Sequence, residues 1–139
     1  MAHRGSETEF ELATIEPLLR LGRRHIHGSE LDRPPEEVVL RDRLRACLPR
    51  VYADVPSAAV DETVNHFSRP EGADTLRRNM AFHEGLTGRI EVRVEQPGRR
   101  VEHRHMYTID WDRPAANEFL VVNQLPVLFQ VANKTVAKG

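Results

Sequence analysis

Apolar positions in the first half of the chain recur at spacings of three and four, and from Arg89 onward they recur at spacings of two. The first period belongs to helices with one buried face and the second to half-buried strands. Residues 6–22, SETEFELATIEPLLRLG, open with Ser6 and Glu9 in the arrangement of a capping box, which predicts a helix starting near Glu7. Phe10, Ile15, Leu18, Leu19 and Leu21 supply its apolar groups, and Gly22 offers the left-handed geometry that ends many helices. Pro17 lacks a backbone donor and its ring crowds the preceding turn, so a bend or an early end near Glu16 is expected. RHIHG reads as a short strand. In VVLRDRLRACLPRVY, the residues Val39, Leu40, Leu44, Cys47, Leu48 and Val51 share one helical face. A third helix starts at Pro56-Ser57 and runs through Val60, Val64 and Phe67, and GADTLRRNMAFHEGL gives a fourth through Leu76, Met80 and Leu86.

The alternating segments RIEVRVE and VEHRHMYTIDW flank Gln96-Pro97-Gly98, which predicts a hairpin with Ile90, Val92 and Val94 on one side. Asp112-Arg113-Pro114 makes another turn, and FLVVNQL continues as a strand of continuous apolar character. The fold class expected is therefore α+β or α/β, a helical front followed by a hairpin and further strands. Residues 125–139, LPVLFQVANKTVAKG, read as a divergent tail. All 21 acidic residues lie at or before Glu118, and the only two lysines are Lys134 and Lys138. A small flexible end, a shifted reading frame or a foreign join would each produce that change. FLVVNQL is then expected to present an apolar edge without covering strands, with slow amide exchange before Gly88 and fast exchange from Leu125.

Composition narrows the function classes. With 139 residues the chain can bury a core without staples, and a formal net charge of -1 lacks the basic excess of a protein that lives mainly on phosphate contacts. The single Cys47 excludes an internal disulfide and a multi-thiolate zinc site, and its apolar context suggests a buried structural thiol. No apolar run approaches a membrane span and the first residues lack the apolar stretch of a signal peptide, so a cytoplasmic protein with no membrane partner is expected.

Candidate chemistry is sparse. His25/His27 and His103/His105 are His-x-His pairs, and two-residue spacing on a strand sets both imidazoles on one face, as a transition metal would need. No third ligand is fixed by spacing, and the solvated face of an amphipathic strand accounts for them better. Glu7, Glu9, Glu11 and Glu16 crowd the first helix, where compensation of the helix dipole is the simpler explanation. There is no Gly-x-Ser-x-Gly elbow and no Gly-x-x-x-x-Gly-Lys-Ser/Thr loop, which leaves nucleophilic catalysis and ATP binding by this chain without support.

Five blocks in order resemble the N-terminal region of the R subunit of type I restriction endonucleases: SETEFELATIEPLLRLG, HIHGSEL, EEVVLRDRLRACLPRVYADVP, VNHFSRPEGADTLRRNMAFHEGLTGRIEVRV and IDWDRPAANEFLVVNQ. They span about residues 6–124. The resemblance implies a nuclease domain of the PD-(D/E)xK type joined to ATPase domains, with Mg²⁺ and ATP as cofactors of the full-length subunit. It also implies DNA and the methylase and specificity subunits as partners. A first-helix glutamate supports the metal site in this family, and the blocks assign that catalytic and metal-supporting role to Glu11, with Glu9 the less favoured neighbour. The family's Asp and Glu-x-Lys motifs should follow NEFLVVNQ, and LPVLFQVANKTVAKG holds no acid. The resemblance therefore implies a domain truncated or frame-shifted after Gln124 and inactive alone. A non-enzymatic interaction module and a pseudogene product are the alternatives.

Overall fold

The computed structural model describes the backbone of residues 4–131 and 134–138 and the side chains of residues 7–128. It is a mixed helix-and-strand, α+β structure that divides into two compact units: residues 39–117, and residues 1–38 together with 118–139. The helices are α1 (Arg4–Arg20), α2 (Arg41–Val51), α3 (Ser57–Ser68) and α4 (Thr75–Thr87). The strands are β1 (Arg24–His27), β2 (Ile90–Val94), β3 (Glu102–Met106), β4 (Leu120–Asn123), β5 (Val127–Val131) and β6 (Lys134–Lys138).

In the unit of residues 39–117, β2 and β3 form the expected antiparallel hairpin, with Ile90 opposite Met106 and Val94 opposite Glu102. Its inner row of Ile90, Val92 and Val94 is buried and the intervening Glu91 and Arg93 are exposed, the alternation that a pleated strand with one wet face requires. Helix α3 packs on β2 through Ala59 and Phe67, and its Val60 and Val64 are buried beside Leu48. Thr63 is buried there too, and its hydroxyl donates to the Ala59 carbonyl at 2.8 Å, so burial leaves no orphaned polar group. Leu44 and Leu48 of α2 cover the other side of α3. The Tyr52 hydroxyl accepts from the Tyr107 N–H at 2.8 Å. Asp74 caps α4 by accepting from the Arg77 N–H at 2.8 Å. The Asp112-Arg113-Pro114 turn is closed by Asn117, which accepts from the Asp110 N–H and donates to the carbonyls of Asp110 and Pro114.

In the other unit, β1 and β4 pair in parallel, with Arg24 opposite Leu120 and His27 opposite Asn123, and α1 lies along both. Helix α1 ends as its glycine predicts. Gly22 takes φ +75°, its N–H reaches the Leu19 carbonyl at 2.9 Å, and the Arg23 N–H reaches Leu18 at 3.1 Å, the paired bonds of a Schellman stop. The Arg23 guanidinium then sits 4.3 Å above the Phe119 ring. Arg33 donates to the carbonyls of Pro34, Pro35, Glu37 and Pro126, gathering a proline-rich loop whose own backbone has few donors.

Several expectations are corrected. Helix α1 is already formed at Arg4, so Ser6 is a helical residue rather than its cap; the Ser6 hydroxyl lies outside the described residues. The helix also runs through Pro17 to Arg20. A proline near the end of a helix removes one bond, here to Ala13, and the C-terminal stop at Gly22 still closes the last turn. Phe10, Leu19 and Leu21 are exposed; the inward face is Glu11, Ile15 and Leu18, three positions that span two turns of one side. Leu76 and Met80 are 69% and 56% exposed, and α4 instead meets the core through Phe82 and Leu86, with Phe82 stacked 4.8 Å from Phe67. Cys47 is half-buried and accepts from Arg50 at 3.4 Å. Finally, β4 is paired with β1 along one edge, while among the described residues its other edge has no partner strand and Phe119 and Leu125 stay exposed; the tail forms strands of its own, β5 and β6 making an antiparallel hairpin with Val131 opposite Lys134.

Candidate functional site

The parallel register brings residues from opposite ends of the sequence together around Glu11. The Asn123 amide donates from Nδ2 to Oε2 of Glu11 at 3.3 Å, and Gln124 donates from Nε2 to Oε1 at 2.5 Å. Oδ1 of Asn123 lies 2.8 Å from Nε2 of His25 on β1. Both oxygens of one carboxylate are therefore held by two amides, and one amide is held in turn by an imidazole.

Consecutive residues of a strand point to opposite faces, so Asn123 and Gln124 should not reach the same group. They do because Gln124 leaves the strand with φ +52°, in the left-handed region, which swings its side chain to the Glu11 side. Gly28 makes room for this turn. A Cβ at position 28 would lie 2.1 Å from the Gln124 carbonyl oxygen and 2.8 Å from Cα of Leu125. Only a glycine lets the two backbones approach so closely. Helix α1 contributes the carboxylate because Glu11 sits one turn before Ile15, on the helix face that meets β1 and β4.

Glu9, the alternative to Glu11, is exposed on α1. His27, the second member of the first His-x-His pair, has Nδ1 2.7 Å from the Ser29 hydroxyl and accepts from the Ser29 N–H at 3.2 Å, capping the short 3-10 turn Gly28–Glu30. His25 and His27 thus serve different partners. On the second pair, Nδ1 of His103 lies 2.9 Å from one oxygen of Glu91 and Nε2 of His105 3.5 Å from the other, all on the exposed face of the hairpin. Among the described residues, no three His, Cys, Asp or Glu side chains are placed to hold a metal ion. Mg²⁺ takes six oxygens in a near-octahedral shell and is ordinarily bound through one or two carboxylates. Glu11 is the lone acid of its cluster, so the described residues do not make a complete site for this ion; they make one well-oriented carboxylate.

Asn123 and Gln124 are the members of this cluster that neither the acids nor the His-x-His spacing marks, and His25 stands out in the sequence only as half of a pair with His27. The signal available in the sequence was the pair of amides directly following an apolar strand, LVVNQ, where a strand simply ending at a turn would do as well. Among the described residues no helix is long and apolar enough to cross a membrane.

Comparison with known proteins bears on the same residues. No solved structure matches the chain. The Type I restriction enzyme HindI endonuclease subunit of Haemophilus influenzae is 25% identical over 142 residues, covering 94% of this chain and 13% of that subunit. The chain therefore spans a small part of the relative's length. The family described as Type I restriction enzyme R protein N terminus matches residues 5–136, which include α1, β1, β4 and the segment beyond Gln124. The chain that anchors Glu11 with Asn123 and Gln124 belongs to the family of type I restriction enzyme R protein N termini.

Proposed function

We propose that this chain is the front part of a nuclease domain of PD-(D/E)xK type, working within the restriction subunit of a type I restriction-modification system. In that setting the complete subunit cuts DNA using Mg²⁺ and ATP, in the cytoplasm and alongside methylase and specificity subunits. The observation that carries this reading is the Glu11 carboxylate, held at both oxygens beside the ends of two parallel strands in a chain of this family. A carboxylate fixed by two donors is oriented before any ligand arrives, which is what a metal-supporting group requires. Glu11 is proposed as one carboxylate of the metal centre; the other ligands come from outside the described residues. Residues 6–124 are proposed as the nuclease-related part and 125–139 as a separate tail.

One carboxylate does not assemble metal-dependent phosphodiester hydrolysis. The purified chain is therefore expected not to nick plasmid DNA with Mg²⁺, and specific nicking that disappears in E11A would overturn this. The role of Glu11 is tested by grafting residues 1–124 in place of the matching segment of the Haemophilus subunit. The graft should cleave, and E11A should lower cleavage by about 100-fold or more while leaving ATP hydrolysis intact. An E11A graft that cleaves normally removes Glu11 from the metal centre.

A further inference from the structure

An amide between a carboxylate and an imidazole has one acceptable orientation. Asn123 holds Glu11 only while Nδ2 faces it, and then Oδ1 faces Nε2 of His25, 2.8 Å away. Rotated by half a turn, the amide would set Oδ1 against a carboxylate oxygen with no hydrogen between them. Its NH₂ would then face the imidazole, which could accept if Nε2 carried no proton. The state of one ring nitrogen thus decides which end of Asn123 meets Glu11.

We propose that His25 is a positioning residue for Glu11: with its proton on Nε2 it donates to Oδ1 of Asn123, locks the amide, and so fixes the Nδ2 bond to Oε2. The geometry favours this state from both sides. His25 and Asn123 are half-buried on neighbouring strands, two residues out of register and so on the same face, and strand pairing fixes their separation. Gln124 holds the other oxygen independently, so His25 controls the tilt of the carboxylate and not its presence. Such outer hydrogen bonds set the orientation of functional carboxylates elsewhere. The purpose assigned to this relay rests on the proposed role of Glu11, but its existence does not.

Nuclear magnetic resonance of the ¹⁵N-labelled full chain tests it. Long-range ¹H–¹⁵N correlations should put the His25 proton on Nε2; a ring protonated at Nδ1 alone overturns the proposal whatever the variants do. In H25L, water exchange of the Asn123 side-chain amide should rise about fivefold, as expected for one lost hydrogen bond of ordinary strength. H25Q, whose amide can also donate, should restore slow exchange. Unchanged exchange in H25L, or H25Q behaving like H25L, overturns it, because a purely structural role would not distinguish the two. Should H25L fail to fold, the ring-nitrogen measurement decides. The graft separates this relay from the reading beneath it. An active E11A graft with Asn123 still responding to His25 removes the metal role and supports the relay, whereas an unresponsive Asn123 overturns the relay even if E11A is inactive.

Discussion

The helix-and-hairpin unit buries Val64, Ile90, Val92 and Met106 to 2% exposure or less, whereas β1 and β4 of the other unit have only half-buried residues along their paired length, His25 to His27 and Leu120 to Asn123. The first is held by apolar area, at about 1.5–3 kcal/mol for each large side chain fully buried. The second relies more on named polar contacts: Glu11 with two amides, Arg33 with four carbonyls, Arg23 over Phe119. Apolar burial tolerates many sequences, but a carboxylate gripped by two amides tolerates few. The unit that holds the candidate site is therefore the one where stability depends on the same atoms as the role proposed for Glu11.

Removing apolar volume should give the largest effect. Met106 is fully buried, and M106A is expected to cost about 2–5 kcal/mol, read as a lower urea midpoint. Hydrogen exchange should assign the loss to α3, β2 and β3. An equal loss of protection in β1 and β4 would show that the two units unfold as one and would erase the contrast.

The next break lies in the backbone. G28A forces a Cβ against the Gln124 carbonyl, where backbone has to move, and a cost of about 1–3 kcal/mol is expected. Exchange should quicken in β1 and β4 while the hairpin core stays protected. Unchanged exchange in β1 would mean that the approach of Gly28 to Gln124 relaxes freely.

E11A is expected to cost less, about 0.5–1.5 kcal/mol, because water can replace the carboxylate at a partly exposed site. The exposed neighbour supplies the contrast: E9A should leave the urea midpoint unchanged. If the two variants are indistinguishable, the Glu11 clamp contributes nothing to folding.

The smallest effect is electrostatic. Asp54 accepts from Arg104 at 2.9 and 3.3 Å, and that hydrogen bond, helped by the guanidinium charge, holds its carboxyl below the ordinary 3.8. A carboxyl depressed in the folded state stabilises above its ordinary value and loses that contribution as the pH falls through the folded one. The pair is exposed, so D54N should lower Tm only slightly at neutral pH, and the gap to the parent should close well below pH 3.8. A gap that persists in acid would assign the effect to packing.

The contrast also explains what could be read from the sequence. Val60, Val64 and Phe67, and the row Ile90, Val92 and Val94, were legible because burial there follows the period of the element itself. Leu76 and Met80 carry the same period and are exposed: periodicity says that a face exists, not that anything covers it. Glu11 was reached through family resemblance, since one of four glutamates on a glutamate-rich helix has no local mark. Asn123, Gln124 and His25 were not legible as a group. Their meeting depends on the parallel register and on a left-handed Gln124, and a non-glycine residue gives no sequence sign of that conformation. The β5–β6 hairpin is marked in the sequence only by the alternation of Val127, Phe129 and Val131 in a tail whose charge differs from the rest of the chain.

The parallel pairing of β1 with β4 also orders events in time. Glu11 and Gln124 are 113 positions apart, and residues 39–117 lie wholly between the strands that unite them. A chain emerging from the ribosome at about 5–20 residues per second makes α1 and β1 first, yet leaves them without their partner for roughly 5–20 s. The inserted unit is fully synthesised before β4 appears and can fold ahead of them. Strand β1 thus waits for a partner made long after it, and during that interval His25, Ile26 and His27 offer an unpaired strand edge to whatever is nearby.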